Sequence, residues 1–133
     1  KYAWSNKMSV LFLEGPAGVG FSWARDAKDK KFNDYISADD NLKAVLSFFK
    51  KFPEFLKNDV YLAGESYTGI YVPYLAMKIH QHNIQEKTHG GSTQINLKGI
   101  MVGNACTDWL VDTENVMMEF AFMHNLIDRP TYF

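Results

Sequence analysis

Three short apolar runs are spaced along the chain and separated by longer polar or amphipathic stretches. The runs are Met8–Leu13, Val60–Ala63 and Ile95–Val102. The first of them shows little alternation, as is typical of a strand buried on both faces of a parallel sheet. The hydrophobic pattern therefore predicts three strands along the chain.

Amphipathic stretches between these runs predict helices. Ser37 is a suitable N-cap, and Asp39 and Asp40 follow in the first turn, where acidic side chains favour the positive helix end. Apolar residues then recur at the helical spacing i, i+3, i+4 and i+7, namely Leu42, Val45, Leu46 and Phe49. Pro53 is expected to end this helix, and a second helix is predicted from Ile70 to about His80.

Two of the remaining segments are polar, and the tail has Met and Phe side chains at helical spacing. Residues 24–35 are rich in charge and residues 82–94 contain two adjacent glycines, so both are interpreted as solvated loops. Pro73 is expected near the first turns of the second helix or at a kink in it. The tail, Asp112–Met123, is predicted to be helical because Met and Phe recur there at helical spacing, which is more typical of core packing than of a ligand site.

The element order strand, helix, strand, helix, strand predicts an α/β fold. Such an order implies a mostly parallel sheet with flanking helices and right-handed crossovers. The chain has 133 residues, which is near the common size of a single domain. In open sheets of this kind, ligands bind at the carboxyl edge of the strands, so that edge is where candidate chemistry is sought.

The sequence Gly64-Glu65-Ser66-Tyr67-Thr68-Gly69 lies at that edge, directly after the second predicted strand. A serine on a sharp turn between a strand and a helix is the nucleophile elbow of the α/β-hydrolases. The strict five-residue form G-x-S-x-G would place glycine at position 68, where Thr68 stands. Without further motifs, a plain strand-turn-helix with a glycine turn remains the alternative interpretation.

A second string extends the pattern: Gly15-Pro16-Ala17-Gly18-Val19-Gly20-Phe21-Ser22 follows the first predicted strand. Tyr2-Ala3-Trp4 lies upstream, Gly64–Pro73 reads GESYTGIYVP, and Val102-Gly103-Asn104 follows the last strand. Together, in this order, these strings closely resemble the serine carboxypeptidase family. The resemblance covers nearly the whole chain and implies an α/β-hydrolase fold and removal of C-terminal residues from peptides or proteins through an acyl-enzyme.

The resemblance also implies parts that this sequence does not contain. The family carries an upstream W-x-N-G-G-P-G segment, which supplies one oxyanion donor, and a downstream Asp and His of the catalytic triad. We therefore expect residues 1–133 to be an internal fragment of a single α/β-hydrolase catalytic domain, inactive alone. Residues 112–133 are interpreted as the start of the family's cap subdomain.

Site residues follow from the same resemblance. Ser66 is the expected nucleophile, and the backbone N–H of Tyr67 is the expected oxyanion donor. The remaining assignments are the glycines of the elbow and cleft, which allow close backbone approach: Gly64, Gly69 and Gly18.

Glu65 and Glu14 are expected to bind the terminal carboxylate of the substrate. The resemblance assigns them this role, and a protonated carboxyl can donate a hydrogen bond to a carboxylate. Two close carboxyls cannot both ionise cheaply, so one is expected to stay protonated at acidic pH. The alternative is that Glu14 is merely a solvated residue at the end of a strand.

The histidines do not indicate a catalytic base or a metal site. His124 comes last, but it lies in a helix-like stretch and is not favoured as the base, and His80, His82 and His89 are better interpreted as surface residues. These three lie close in sequence, but no supporting carboxylate or cysteine pattern accompanies them. We therefore predict no metal and no cofactor.

Composition excludes few classes of function. A net charge of −1 gives no indication of nucleic-acid binding, and no apolar run approaches the roughly 20 residues that span a bilayer. The single Cys106 is either a thiol or half of a disulfide to a cysteine elsewhere. A lysosomal, vacuolar or secreted location follows from the resemblance alone. An acyltransferase on the same scaffold and an inactive truncated product remain rival hypotheses.

Overall fold

The structure is a computed structural model and describes residues 1–26 and 31–132. A short 3-10 turn at Trp4–Asn6 comes first, helices and strands then alternate as far as the second strand, and helices alone follow. The helices and strands are α1 (Asp34–Lys51), β1 (Val60–Glu65), α2 (Thr68–His89), β2 (Leu97–Gly103), α3 (Asn115–Met123) and α4 (Arg129–Tyr132). None of the helices in these two ranges is long and apolar enough to cross a bilayer.

The described strands form a parallel pair joined by α2. In this pair Tyr61 lies opposite Gly99 and Glu65 opposite Gly103, with one irregularity at the start of β1. Parallel strands require a crossover connection, and α2 supplies it by packing against both strands. The carboxyl ends of β1 and β2 therefore lie side by side, which places the turn after each strand at the same sheet edge.

The core lies where α1 packs on α2. Val45 and Phe49 of α1 contact Leu75 and Ile79 of α2, and Ile95 at the approach to β2 completes the cluster. Ile79 and Ile95 are 0% and 1% exposed, the lowest fractions among the large apolar side chains described. This cluster sets the relative position of the two helices that flank the elbow.

Helix α1 starts three residues before the predicted N-cap. Asn33, rather than Ser37, is the cap, and its side-chain oxygen accepts the N–H of Ile36 at 2.9 Å. Asp34 then begins the helix, where a carboxylate interacts favourably with the positive end. The interpretation of 24–35 as a loop was thus wrong for its last two residues; positions 27–30 lie outside the described residues.

Helix α2 is twice as long as predicted and extends over most of the segment interpreted as a polar loop. It runs from Thr68 to His89 and ends at Gly90, which adopts a left-handed φ of 71°. The segment 82–89 has no apolar stripe, yet Gln, Glu and Lys are good helix formers and nothing breaks the helix before Gly90. Pro73 lies inside the helix near its start.

The segment Met8–Leu13 is not a strand, contrary to the prediction. Its apolar side chains are exposed, most of all Phe12 at 81%, and no ladder hydrogen bond joins it to β1 or β2 within the described ranges. Hydrophobic composition favours a strand only where a neighbouring strand supplies hydrogen-bonding partners. The described sheet supplies none at this position.

The tail is helical, as predicted, but its helix is less regular. A π-helical turn covers Leu110–Glu114 and continues into α3. Asp108 caps the turn, because its Oδ1 accepts the backbone N–H groups of Leu110 and Val111, each at 3.0 Å. Asp112 holds the preceding segment by accepting the N–H groups of Thr107 and Asp108 at 2.6 Å and 3.0 Å. The assignment of 112–133 to a cap subdomain stays a prediction.

Candidate active site at the end of the first strand

Ser66 occupies a sharp turn between β1 and α2. Its φ is +60°, a left-handed value that is uncommon for any residue other than glycine. The Ser66 N–H continues the sheet by donating to the Gly103 carbonyl at 3.0 Å. The side chain is exposed, and its hydroxyl has no hydrogen-bond partner in the described parts of the chain. This is the geometry of a nucleophile elbow.

The peptide between Ser66 and Tyr67 is held from one side. The Ser66 carbonyl oxygen accepts two backbone N–H groups, from Gly69 and from Cys106, each at 2.9 Å. In a trans peptide the N–H points away from the C=O, so the Tyr67 N–H faces the opposite direction. It has no acceptor among residues 1–26 and 31–132. The Tyr67 N–H is therefore an oriented and unused donor beside the serine hydroxyl.

The two elbow glycines are required by close contacts. A Cβ on Gly69 would lie 2.5 Å from the Cys106 carbonyl oxygen, and a Cβ on Gly64 would collide with the Thr68 side chain. Thr68 itself donates from Oγ1 to the Glu65 carbonyl at 2.8 Å. The hydroxyl thus has a role at the position where the five-residue pattern expects glycine, while Gly69 provides the close approach.

The glycine-rich loop 15–22 is closed by the Ser22 hydroxyl. Ser22 Oγ accepts the N–H groups of Gly18 and Val19 at 2.9 Å and 3.1 Å and donates to the Pro16 carbonyl at 3.0 Å. Gly18 has a φ of 90°, which side chains other than glycine rarely adopt. The predicted cleft glycine Gly18 is thus required by the conformation of the loop.

Glu14 is bound by the same loop. Its Oε2 accepts the Phe21 N–H at 2.9 Å, and a Cβ on Gly20 would collide with its carboxylate. Glu65 is the last residue of β1 and is exposed. No hydrogen bond joins the Glu14 and Glu65 carboxyls within the residues described, so their joint role stays a prediction.

A cavity of about 460 Å³ lies between the segment 11–17 and β1. Glu14 and Pro16 line it on one side, and Ala63 and Thr68, which flank the elbow, line it on the other. Ser66 does not line this cavity. The structure therefore brings the glycine-rich loop and the flanks of the elbow to one cavity, with the serine hydroxyl outside it.

Tyr67 has a partner that sequence reasoning missed. Its hydroxyl lies 3.2 Å from Asp34 Oδ1 and 3.4 Å from Oδ2, and its ring packs edge-on against Tyr71 with centroids 5.0 Å apart. Partial burial, followed by the hydrogen bond to Asp34, raises the pKa of the Tyr67 phenol above its ordinary value. The phenol therefore stays protonated and remains a donor throughout the neutral range. A helix-capping pattern at Asn33-Asp34 was the signal that could have identified this end of α1.

Three of the four histidines contact backbone carbonyls away from Ser66. A ring nitrogen of His82 lies 2.9 Å from the Thr93 carbonyl, and His89 contacts a carbonyl of its own helix. The His124 ring stacks on Phe120 and contacts the carbonyl of that same residue at 2.9 Å. No histidine contacts Ser66 in the described ranges, and no cluster of metal-binding side chains is found there.

Comparison with known proteins identifies the family. The family model for serine carboxypeptidase matches residues 1–133. Serine carboxypeptidase-like 26 of Oryza sativa subsp. japonica is 39% identical over 133 residues, which are 99% of this chain and 27% of that protein. Serine carboxypeptidase 3 of Hordeum vulgare is 37% identical over 132 residues, which are 99% of this chain and 25% of that protein. The chain thus spans about a quarter of the length of these curated relatives.

A solved structure shares the fold. Kex1(Δ)p, a prohormone-processing carboxypeptidase from Saccharomyces cerevisiae, superposes with a TM-score of 0.65 and 31% sequence identity. The match covers 89% of this chain and 25% of that one. The predicted fold class, part of an α/β-hydrolase with a mostly parallel sheet, is confirmed. With an elbow serine of the expected geometry and a family match over its full length, the chain belongs to the serine carboxypeptidase family.

Proposed function

We propose that the protein containing this chain is a serine-type carboxypeptidase that releases C-terminal residues from peptides or proteins at acidic pH. The observation that carries the proposal is the pairing of an exposed Ser66 at φ +60° with the unused Tyr67 N–H. Family membership supplies the reaction class. A lysosomal, vacuolar or secreted location is part of the same proposal.

In this mechanism Ser66 Oγ attacks the carbonyl carbon of the last peptide bond. The negative charge that develops on the carbonyl oxygen is stabilised by the Tyr67 N–H, which is already oriented and needs no rearrangement. A serine hydroxyl requires a general base and an orienting acid, which the family resemblance places outside this chain. The C-terminal residue leaves as the amine, and water then hydrolyses the Ser66 ester.

Recognition of the free C-terminus is assigned to Glu65 and Glu14. Glu65 precedes the nucleophile directly, and Glu14 shares a cavity with the flanks of the elbow. With Glu14 Oε2 bound to the Phe21 N–H, its Oε1 remains for an external partner. A protonated carboxyl donates to the substrate carboxylate, whereas an ionised one repels it, so binding should weaken as pH rises.

The nucleophile is tested by labelling and substitution in the full-length protein. A fluorophosphonate should label Ser66 alone, and Ser66→Gly, which accommodates the left-handed φ, should lower kcat on the order of 10⁴-fold. The exposed Ser47→Ala on α1 is the matched control and should retain full activity. Retention of more than a few per cent of the rate by Ser66→Gly would exclude the assignment.

Substrate class is tested with one peptide in free-acid and amide forms. The parent enzyme should show a KM that rises with pH for the acid but not for the amide, and Glu14→Gln with Glu65→Gln should remove the rise. Identical pH profiles for both forms would leave a serine hydrolase without a carboxylate site. Efficient transfer of the acyl group to an added alcohol, with slow peptide hydrolysis, would identify an acyltransferase instead.

A further inference from the structure

We infer that Asp34 is a positioning residue for the oxyanion donor, acting through the phenol of Tyr67. This inference rests on the proposed function, because it concerns how the Ser66–Tyr67 peptide is held during catalysis. Asp34 does not touch the reacting atoms. Its contribution is to hold the residue whose N–H receives the developing charge.

Tyr67 is held at both ends, and Asp34 supplies the distal contact. At the backbone end, the carbonyl of the preceding peptide is bound by Gly69 and Cys106. At the other end, the phenol lies between the two oxygens of Asp34, at 3.2 Å and 3.4 Å. Hydrogen bonds to an ionised carboxylate are stronger than neutral ones. The residue is thus restrained at the peptide and at the hydroxyl.

Apart from the bond to Asp34, the side chain of Tyr67 has few contacts. Tyr67 is the N-cap residue of α2, and no side chain caps that helix end. Tyr67 is 38% exposed, and its ring packs edge-on against the Tyr71 ring. Without the bond to Asp34, the ring could move among rotamers. The peptide that carries the donor N–H would then be held only by the backbone hydrogen bonds on the Ser66 and Tyr67 carbonyls.

Asp34 is itself firmly located. It is the first residue of α1, and the preceding Asn33 caps the helix through the Ile36 N–H at 2.9 Å. The α1–α2 core contacts through Phe49 and Ile79 fix that helix against the one that begins at Thr68. Asp34 therefore presents its carboxylate to the elbow from a rigid element.

A purely structural role for Asp34, fastening α1 to α2, makes a different prediction. The chain contains a second polar contact between the same helices, in which Lys78 Nζ lies 2.6 Å from Asp39 Oδ1. That contact involves neither Tyr67 nor Ser66. Asp39→Asn therefore weakens the helix pair without altering the elbow and serves as the matched control for Asp34→Ala.

The experiment compares variants of the full-length protein by kcat and KM per phosphonate-titrated active site, so that misfolded protein is not counted. Asp34→Ala and Tyr67→Phe should each lower kcat by about three- to tenfold, the loss expected for one hydrogen bond, with KM nearly unchanged. The double variant should be no slower than the slower single variant, because the two substitutions break the same contact. Asp34→Asn should recover most of the rate, since its amide oxygen accepts the phenol, and Asp39→Asn should match the parent.

The outcomes separate this inference from the proposed function. A parent protein that neither cleaves peptides nor reacts with the phosphonate at Ser66 would overturn both. A parent that does both while Asp34→Ala retains full kcat would overturn the role of Asp34 alone. Equal losses in Asp34→Ala and Asp39→Asn, or losses that add in the double variant, would likewise overturn it.

Discussion

The side-chain amide of Asn83 pairs with both backbone groups of Ile95. Asn83 Oδ1 accepts the Ile95 N–H at 2.8 Å, and Nδ2 donates to the Ile95 carbonyl at 2.7 Å. Ile95 is 1% exposed, so these backbone groups have little access to water. The amide thus provides hydrogen-bond partners for the backbone just before β2 and attaches this segment to α2.

Loss of this pairing should destabilise the fold. Asn83→Ala is expected to lower the free energy of unfolding by about 1–3 kcal/mol, because it leaves the buried Ile95 N–H without an acceptor, while the Ile95 carbonyl keeps the Leu97 N–H at 2.8 Å. Asn58→Ala is the control, since Asn58 is exposed and its side chain has no hydrogen-bond partner in the described ranges. Thermal or denaturant unfolding measures both. Equal stability of the two variants would contradict the assignment.

Gly69 should tolerate a methyl group far less well than Gly99. A Cβ at Gly69 would lie 2.5 Å from the backbone oxygen of Cys106, whereas at Gly99 the nearest atom would be a Tyr61 ring carbon at 3.5 Å. Gly69→Ala is therefore expected to cost about 1–3 kcal/mol and to reduce turnover, because the Cys106 bond to the Ser66 carbonyl is displaced. Gly99→Ala should stay within about 0.5 kcal/mol of the parent. Comparable stability and turnover of the two alanine variants would argue against a close contact at Gly69.

The Asp112 carboxylate should stabilise the segment after β2 over a defined pH range. Hydrogen bonds from the backbone of Asp108 and Thr107, followed by the Thr107 hydroxyl, lower the pKa of Asp112 below its ordinary value. A group with a lowered folded-state pKa contributes stability above its unfolded pKa, and the contribution is lost as pH falls through the folded value. From neutral pH to about pH 5 the contribution should be constant.

The comparison to make is the difference in unfolding midpoint between the parent and Asp112→Asn as a function of pH. The difference should be constant from pH 7 to about pH 5 and should shrink at lower pH, below the ordinary range for aspartate. Glu114→Gln is the control, because Glu114 is exposed and its carboxylate accepts no hydrogen bond in the described part of the chain. A difference that shrinks while pH is still near neutral would show that the carboxylate is not bound as described.

The 133-residue chain by itself should not hydrolyse peptides and should self-associate. No histidine contacts Ser66 within the described residues, and both described strands have one unpaired edge. Unpaired edges and exposed apolar side chains, such as Phe12, promote association. Light scattering after size-exclusion chromatography would detect this self-association. A monodisperse monomer with a sharp cooperative melt would refute the expectation.

The elbow could be predicted from sequence because its requirements are local. The spacing of Gly64, Ser66 and Gly69 encodes the turn, and the structure explains each small residue by a contact within a few positions or by the adjacent strand end. The parallel arrangement of β1 and β2 could also be predicted, because the order strand, helix, strand is visible along the sequence. Local composition also located α1 and α2, apart from their ends.

Features that depend on distant residues were missed. Met8–Leu13 has the composition of a strand, but pairing needs a neighbour that hydrophobicity alone does not supply. The contact between Tyr67 and Asp34 joins residues 33 positions apart, across a stretch whose charges suggested only solvent exposure. The second half of α2 lacks an apolar stripe, so periodicity gave no indication that the helix continues to Gly90.

The two hydrogen bonds on the Ser66 carbonyl have a consequence for how this site can vary. Both come from backbone groups, Gly69 N–H and Cys106 N–H, on the side of the peptide opposite the Tyr67 N–H. Apart from Thr68, which binds the elbow, side chains lining the cavity can therefore be exchanged without removing either bond that directs that donor. If the protein has the proposed function, the cavity walls are therefore a sound choice for randomised libraries that aim to alter specificity while preserving turnover.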